Sequence, residues 1–223
     1  DRIVLSSRKN TIMKSEGMGN LVLVRHGESE WNKKNLFTGW KNPGLSKRGI
    51  KEAEDAGKAL KNKGYSFDCM FTSNLKRAQK TGQLILKYIH QTNLKVIKNE
   101  ALNERNYGDL AGLNKDEARK RWGDKQVHLW RRSYDTRPPG GESLKDTANR
   151  VLPYFVKNID PLLRVRKNIL VTAHGNSLRA LIMYLEKLDK AEIVKLEIKT
   201  GIPISYEFDK AGKVSHKLLI SPK

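Results

Sequence analysis

The chain has 223 residues, 38% hydrophobic and 30% charged, with 44 lysines and arginines against 24 aspartates and glutamates, a formal charge of +20. That balance excludes a disordered chain, and no apolar run approaches the roughly 20 residues of a membrane-spanning helix, so no membrane partner is expected. The positive charge attracts anions in general, from nucleic acid to phosphorylated metabolites. Because the basic residues form no long block or basic–aromatic array, no nucleic-acid partner is expected.

Residues 1–20, "DRIVLSSRKNTIMKSEGMGN", lack sustained periodicity and are expected to form a poorly ordered tail ahead of one catalytic domain over 21–223. They lack the apolar core of a signal peptide, and Asp1 and Glu16 count against a transit sequence. They read best as an added or upstream stretch before a start at Met13 or Met18. The first predicted strand is "LVLV" (21–24), which runs into Arg25-His26-Gly27. A helix follows over 45–64, with Ser46 as N-cap, Ile50, Ala53, Gly57 and Leu60 on one stripe, and Gly64 as the stop. "FDCMF" (67–71) is the next strand; its Cys69, the single cysteine, reads as a core residue of a reducing, cytoplasmic compartment. A helix over 73–89 takes Ser73 as cap and sets Leu75, Ala78, Ile85 and Ile89 on one face.

"LKVI" (94–97) is a third strand, and helices are expected over 114–123, 125–134 and 141–159, the last with Pro153 as a kink candidate. "NILVTA" (168–173) is apolar almost throughout, as suits a strand covered on both faces. The helix "NSLRALIMYL" comes after His174. "ISYEF" (204–208) and "VSHKLLI" (214–220) flank the turn "DKAGK" and suggest a terminal hairpin. Strands alternating with helices imply an α/β fold, a three-layer α/β/α sandwich with a mostly parallel central sheet and an antiparallel edge strand.

"NLVLVRHG" and "NILVTAHG" echo each other. If these strands are neighbours, His26 and His174 share one pocket beyond the strands' C-terminal ends, where open α/β sheets bind ligands. The remaining histidines, His90, His128 and His216, carry no such context and read as structural. Arg25 beside His26, without a cluster of further His, Cys or Asp ligands, favours an anion over a metal. Arg77, in the first turn of its helix, can reach the same sheet edge. A neutral imidazole there can attack phosphorus, and an acid must then serve the leaving oxygen. Glu104 and Glu28 are both candidates, and spacing alone does not separate them.

Taken together, "RHGES.WN", "FTGW", "LS.RG..EA...G", "TS.LKRA..T", "LNER.YG.L.GLNK", "WRR", "PPGGES" and "AHGNSLRAL" resemble cofactor-dependent phosphoglycerate mutases of the histidine phosphatase superfamily over Leu21–Phe208. The resemblance implies a phosphoglycerate-mutase-like fold and interconversion of 3- and 2-phosphoglycerate, primed by 2,3-bisphosphoglycerate without a metal. It implies His26 as the phosphorylated nucleophile, with Arg25, Arg77 and His174 holding the phosphoryl group and Glu104 exchanging the proton. It further implies Ser29, Asn32, Thr38, Gly39, Gly175 and Asn176 at the phosphate, and Tyr107, Lys115, Arg131 and Arg132 at the rest of the ligand. A homo-oligomer, dimer or tetramer, is part of the same expectation.

The chain departs from many such enzymes in passing directly from "WRRSYDTRPPGG" to "ESLKDTANRV", where they carry a longer loop beside the entrance. Glu142, just after that turn, reads either as facing the site or as an acid at a helix N-terminus. The competing activities are a phosphatase for small esters using the same His26, and a basic nucleic-acid-binding module.

Overall fold

The computed structural model describes residues 17–222. In chain order the elements are β1 (Leu21–Arg25), α1 (Glu30–Lys33), α2 (Lys47–Asn62), β2 (Cys69–Thr72), α3 (Lys76–Tyr88) and β3 (Val96–Lys98). They continue with α4 (Lys115–Trp122), α5 (Asp124–Arg132), α6 (Leu144–Asn158), α7 (Asp160–Arg164), β4 (Ile169–Ala173), α8 (Gly175–Glu186), α9 (Lys190–Lys195), β5 (Ile204–Phe208) and β6 (Val214–Leu219).

The six strands form one sheet in the order β3-β2-β4-β1-β5-β6. The four on the β3 side are parallel, and β5 and β6 make the antiparallel hairpin at the other edge. Alternation along β1 explains the layering. Leu21 and Leu23 point into a core with α6, α7, α8 and α9, while Val22 and Val24 point into a second core with α2 and α3. All four are fully buried, and each such side chain contributes roughly 1.5–3 kcal/mol on leaving water. A third, smaller cluster of Phe37, Leu110, Ala118, Val127 and Trp130 seats α4 and α5 beside the sheet.

Ser46 caps α2 as expected, its Oγ accepting from Gly49 N–H at 3.1 Å. Ser73 does not cap α3. That helix begins at Lys76 with Leu75 in the cap position, and the Ser73 hydroxyl turns to His174 instead. Ile50 is 37% exposed, because the buried stripe of α2 runs through Gly49, Ala53, Ala56, Gly57 and Leu60. Pro153 sits inside α6, which runs unbroken from Leu144 to Asn158. Gly17–Asn20, expected in a poorly ordered tail, are packed. Gly19 N–H donates to Leu163 O at 2.8 Å, and Asn20 O accepts from Ile169 N–H at 2.8 Å, so these residues extend the β1–β4 pairing. Residues 1–16 lie outside the described residues.

β1 and β4 pair in parallel from Leu21↔Ile169 to Arg25↔Ala173, which brings both His-Gly pairs to one edge of the sheet. Gly27 serves the fold there. A Cβ at Gly27 would lie 2.1 Å from Gly49 O, and one at Gly49 would lie 2.0 Å from Glu28 O. The segment leaving β1 thus crosses the start of α2 at backbone distance, which only paired glycines allow. Its position after a histidine suggests a glycine kept bare for a ligand; its packing partner is the protein itself.

Candidate active site

Beyond the C-terminal ends of β1 and β4 lies a cavity of about 230 Å³. Of the residues expected there, Arg25, His26, Asn32, Thr38, Gly39, Arg77, Glu104, Tyr107, Lys115, Arg131, Arg132, Gly175 and Asn176 line it. His174 stands directly behind His26, with ring centroids 5.0 Å apart. Ser29 is the exception. It is fully buried and its Oγ accepts from Asn32 N–H at 3.0 Å as the N-cap of α1.

The hydrogen bonds of His26 define its chemistry. Nδ1 lies 2.6 Å from the Gly27 carbonyl oxygen. A carbonyl only accepts, so Nδ1 carries the hydrogen and Nε2 keeps its lone pair. Burial, then the charges of Arg77 and Arg25, push His26 well below the ordinary histidine pKa, so the ring is neutral at pH 7. Arg77 donates from Nε to that Nε2 at 3.3 Å, while its terminal nitrogens donate to Gly39 O and Lys41 O at 2.9 Å. Gly39, at φ +55, gives the loop the left-handed turn that presents this carbonyl. Burial lowers Arg77 to about 10, so it remains a cation at pH 7.

His174 is held through its other nitrogen. The Ser73 hydroxyl accepts from Leu75 N–H at 3.1 Å and lies 2.7 Å from His174 Nε2, to which it can give its own hydrogen. Nδ1 of His174 is buried and without a hydrogen-bond partner. Nε of Arg25 is buried and unpartnered too, although its NH1 donates to Ile198 O at 2.7 Å. Unmet buried donors are costly unless a ligand completes them. A Cβ on Gly175 would reach within 3.5 Å of Arg25 Nε and 3.8 Å of Glu104 Oε2, so the bare glycine keeps the space between a cation and a carboxylate open.

Glu104 is oriented by backbone. Its Oε1 accepts from Arg105 N–H at 2.8 Å and Asn176 N–H at 3.0 Å. Its carbonyl accepts from Trp40 Nε1 at 2.6 Å and from Arg150 at 2.8 Å. Glu28 faces elsewhere, accepting from Ser46 Oγ at 2.7 Å. Glu142 stays out of the cavity as well. It pairs with Arg150, accepts from Asn106 N–H at 2.9 Å, and so braces the segment that carries Glu104. These partners hold its carboxyl below the ordinary range despite burial.

Away from His26 the lining is cationic. Burial, with Arg131 next in weight, lowers Lys115 to about 8; burial also lowers Arg131. Arg132 pairs with Glu197 at 2.5 Å. Sequence reasoning missed Arg179 and the wall formed by Leu196, Glu197 and Ile198. An arginine inside the apolar helix "LRALI" is a signal that could have found the first; the wall has no motif. Six cations (Arg25, Arg77, Lys115, Arg131, Arg132, Arg179) thus face two carboxylates (Glu104, Glu197) across the cavity. Such a site suits a small, multiply anionic molecule. Among the described residues no group of three or more His, Cys, Asp or Glu could hold a metal ion, and no helix is long and apolar enough to cross a membrane.

The family model of the histidine phosphatase superfamily (branch 1) matches residues 21–220. A phosphoglycerate mutase of Schizosaccharomyces pombe is 61% identical over 209 residues, 93% of this chain and 99% of that protein. A 2,3-bisphosphoglycerate-dependent phosphoglycerate mutase of Parvibaculum lavamentivorans is 58% identical over 200 residues, 90% of this chain and 95% of its own. In fold alone, the α-ribazole phosphatase of Shigella flexneri superposes with a TM-score of 0.78 at 24% identity, covering 91% of this chain and 96% of that one.

Proposed function

The chain belongs to the histidine phosphatase superfamily, and from that premise we propose that it is an isomerase interconverting 3-phosphoglycerate and 2-phosphoglycerate through a phosphohistidine at His26. The relatives at about 60% identity carry that name over nearly their whole length. The observation that carries the reading is the two-ended cavity, a neutral nucleophile at one end and, at the other, cations that outnumber the one carboxylate, Glu197, paired there. A phosphatase needs the first end. Only an enzyme that must keep its ligand between two transfers needs the second.

The geometry supports one set of roles. His26 Nε2 attacks phosphorus with its free lone pair as the bond to the leaving oxygen breaks. Arg77 Nε, now beside Nε2, and Arg25 Nε donate to the phosphoryl oxygens, with the neutral ring of His174 closing the far wall; all are in place before the reaction and need little rearrangement. Glu104, with Oε1 already filled by two backbone donors, has Oε2 to give the leaving oxygen its proton and to take one from the next hydroxyl. Asn32, Thr38, Gly39, Gly175 and Asn176 shape the phosphate end, while Tyr107, Lys115, Arg131 and Arg132 retain the rest of the ligand. Ser29 acts from behind, by fixing Asn32.

The unmet donor of Arg25, the unpartnered Nδ1 of His174 and the opening left by Gly175 fit a phosphoryl group of 2,3-bisphosphoglycerate, with Lys115, Arg131 and Arg132 at its other end. That cofactor supplies the phosphoryl group that charges His26. The same reading has residues 21–223 working as one catalytic domain in the cytoplasm, without a metal, as a dimer or tetramer of itself.

A coupled assay of 3-phosphoglycerate to 2-phosphoglycerate tests this, run with and without 2,3-bisphosphoglycerate and with a chelator throughout. Cofactor-stimulated, chelator-insensitive isomerisation is expected. Release of free phosphate with no isomerisation would replace the mutase by a phosphatase on the same residues.

A further inference from the structure

Arg179 is a cation of the cavity wall to which the sequence resemblance gives no role. It stands on α8, one turn past Gly175, and is 4% exposed. Its NH1 donates to Asn176 Oδ1 at 3.2 Å and its NH2 to Ile193 O at 2.5 Å, while Nε is buried and unpartnered. Arg105, fully buried, donates to the same Asn176 Oδ1 at 3.2 Å, and its Nε is unpartnered too. Two buried guanidinium groups therefore converge on one neutral oxygen, and neither forms an ion pair with a carboxylate among the described residues. Burying a charge is costly unless an opposite charge accompanies it, and burying two side by side more so.

The placement says which part of a ligand would compensate. The charges felt at His26 are those of Arg77 and Arg25. Those felt at Arg179 are Arg105 and Arg132, with Tyr107 and Glu104 opposing them. The geometry agrees: NH2 is held by Ile193 O of α9, the helix that runs into the 196–198 wall, and Asn176, which NH1 holds, turns its Nδ2 to the Tyr107 hydroxyl at 3.5 Å, so Arg179 stands on the Tyr107–Arg132 side of the cavity. Burial lowers it only to about 10, so it is charged at pH 7.

We propose that Arg179 is a specificity-determining residue that binds the carboxylate of the ligand at the end remote from His26. The proposal rests on the reading of the site given above, and it adds a contact that selects carboxylated phosphate esters over plain ones. No bond is made or broken at this residue.

The test compares binding of 3-phosphoglycerate with that of glycerol 3-phosphate, the same three-carbon ester without the carboxylate, by calorimetry on the full chain. Arg179→Gln is expected to weaken 3-phosphoglycerate by roughly 10-fold or more, the scale of a lost charged hydrogen bond, and glycerol 3-phosphate by less than about 2-fold. Arg179→Lys keeps the charge but loses the fork to Asn176 and Ile193, and is expected to restore most of the preference. An unchanged ratio of the two affinities in Arg179→Gln overturns the proposal, whether both ligands weaken or neither does. If Arg179→Gln does not fold, Arg179→Met, which keeps the apolar stem without the charge, decides: a collapsed ratio supports the proposal and an unchanged one overturns it. Isomerase activity of the unaltered chain is measured separately. Its absence would end the mutase reading and leave the carboxylate contact standing.

Discussion

The end of the cavity around His26 is assembled from strand exits and the first turn of α3, whereas the far end comes from α4, α5 and the stretch between α9 and β5, with Arg179 of α8 at its base. At the first, the groups proposed to react are enclosed and fixed. His26 and His174 are 2% and 0% exposed, and Arg77 is pinned by two carbonyls. At the second, Lys115, Arg131 and Arg132 are half-buried, and Arg132 is tied to a Glu197 whose side chain is 74% exposed. A reacting atom needs fixed donors aimed at one point. A ligand that must be held and yet reoriented is better served by charges on longer, looser arms. The contrast divides chemistry from retention, and it can be broken experimentally.

The largest effect is expected at the rigid end. His26→Ala should abolish isomerisation and any phosphate release together, with loss of at least about 10³-fold, the scale seen when a nucleophile is removed. Phosphate labelling of the variant, with residual turnover above that level, would show that another residue accepts the phosphoryl group. Arg132→Ala sits at the loose end and should separate the two activities. Isomerisation is expected to fall roughly 10-fold while hydrolysis of a simple phosphate ester changes little. Equal losses in both assays would move Arg132 into the transfer machinery.

The smallest effects are read from pH, and the two ends should govern opposite limbs. His26 and His174 have folded pKa values lowered by burial, so below about pH 6.5 the unfolded chain takes up protons that the folded one does not. Their contribution to stability is therefore whole above that pH and is lost below it, by about 1.4 kcal/mol per pH unit for each histidine. Thermal melting between pH 7 and 5 checks this; a flat profile would contradict the neutral pair. On the alkaline side, Lys115 loses its charge above about pH 8. KM for 3-phosphoglycerate should rise several-fold from pH 7.5 to 9 with kcat nearly constant, and Lys115→Met should flatten that rise.

The rigid end is the legible one. Two runs of Asn, apolar strand and His-Gly announce both histidines, because the exit of a buried strand can place its next residues at only a few points along the sheet edge. Ser46 can be read as a cap for the same local reason. The features that escape sequence reasoning depend on partners far along the chain. Ser73 looks like a second cap, and nothing near it says that His174, 101 residues on, competes for its hydroxyl. Glu28 and Glu104 are inseparable by spacing, yet Ser46 claims the one and two backbone donors orient the other. Ile50 reads as core only when hydrophobicity is weighed above register; the turn of α2 that meets the sheet is lined by glycine and alanine. The wall at 196–198 acts through a backbone carbonyl and one exposed acid, neither of which a motif records.

The crossing of Gly27 over Gly49 bears on how a mutational scan of this chain should be read. Any side chain at either position meets main chain near 2 Å, so an inactive Gly27→Ala variant would score beside His26 in an activity screen and invite a catalytic label. A parallel screen for abundance would separate them, since His26→Ala leaves the strand exit intact while the glycine variants cannot close it. Position 49 is the more useful warning, because it lies in a helix of no chemical interest and would still look essential.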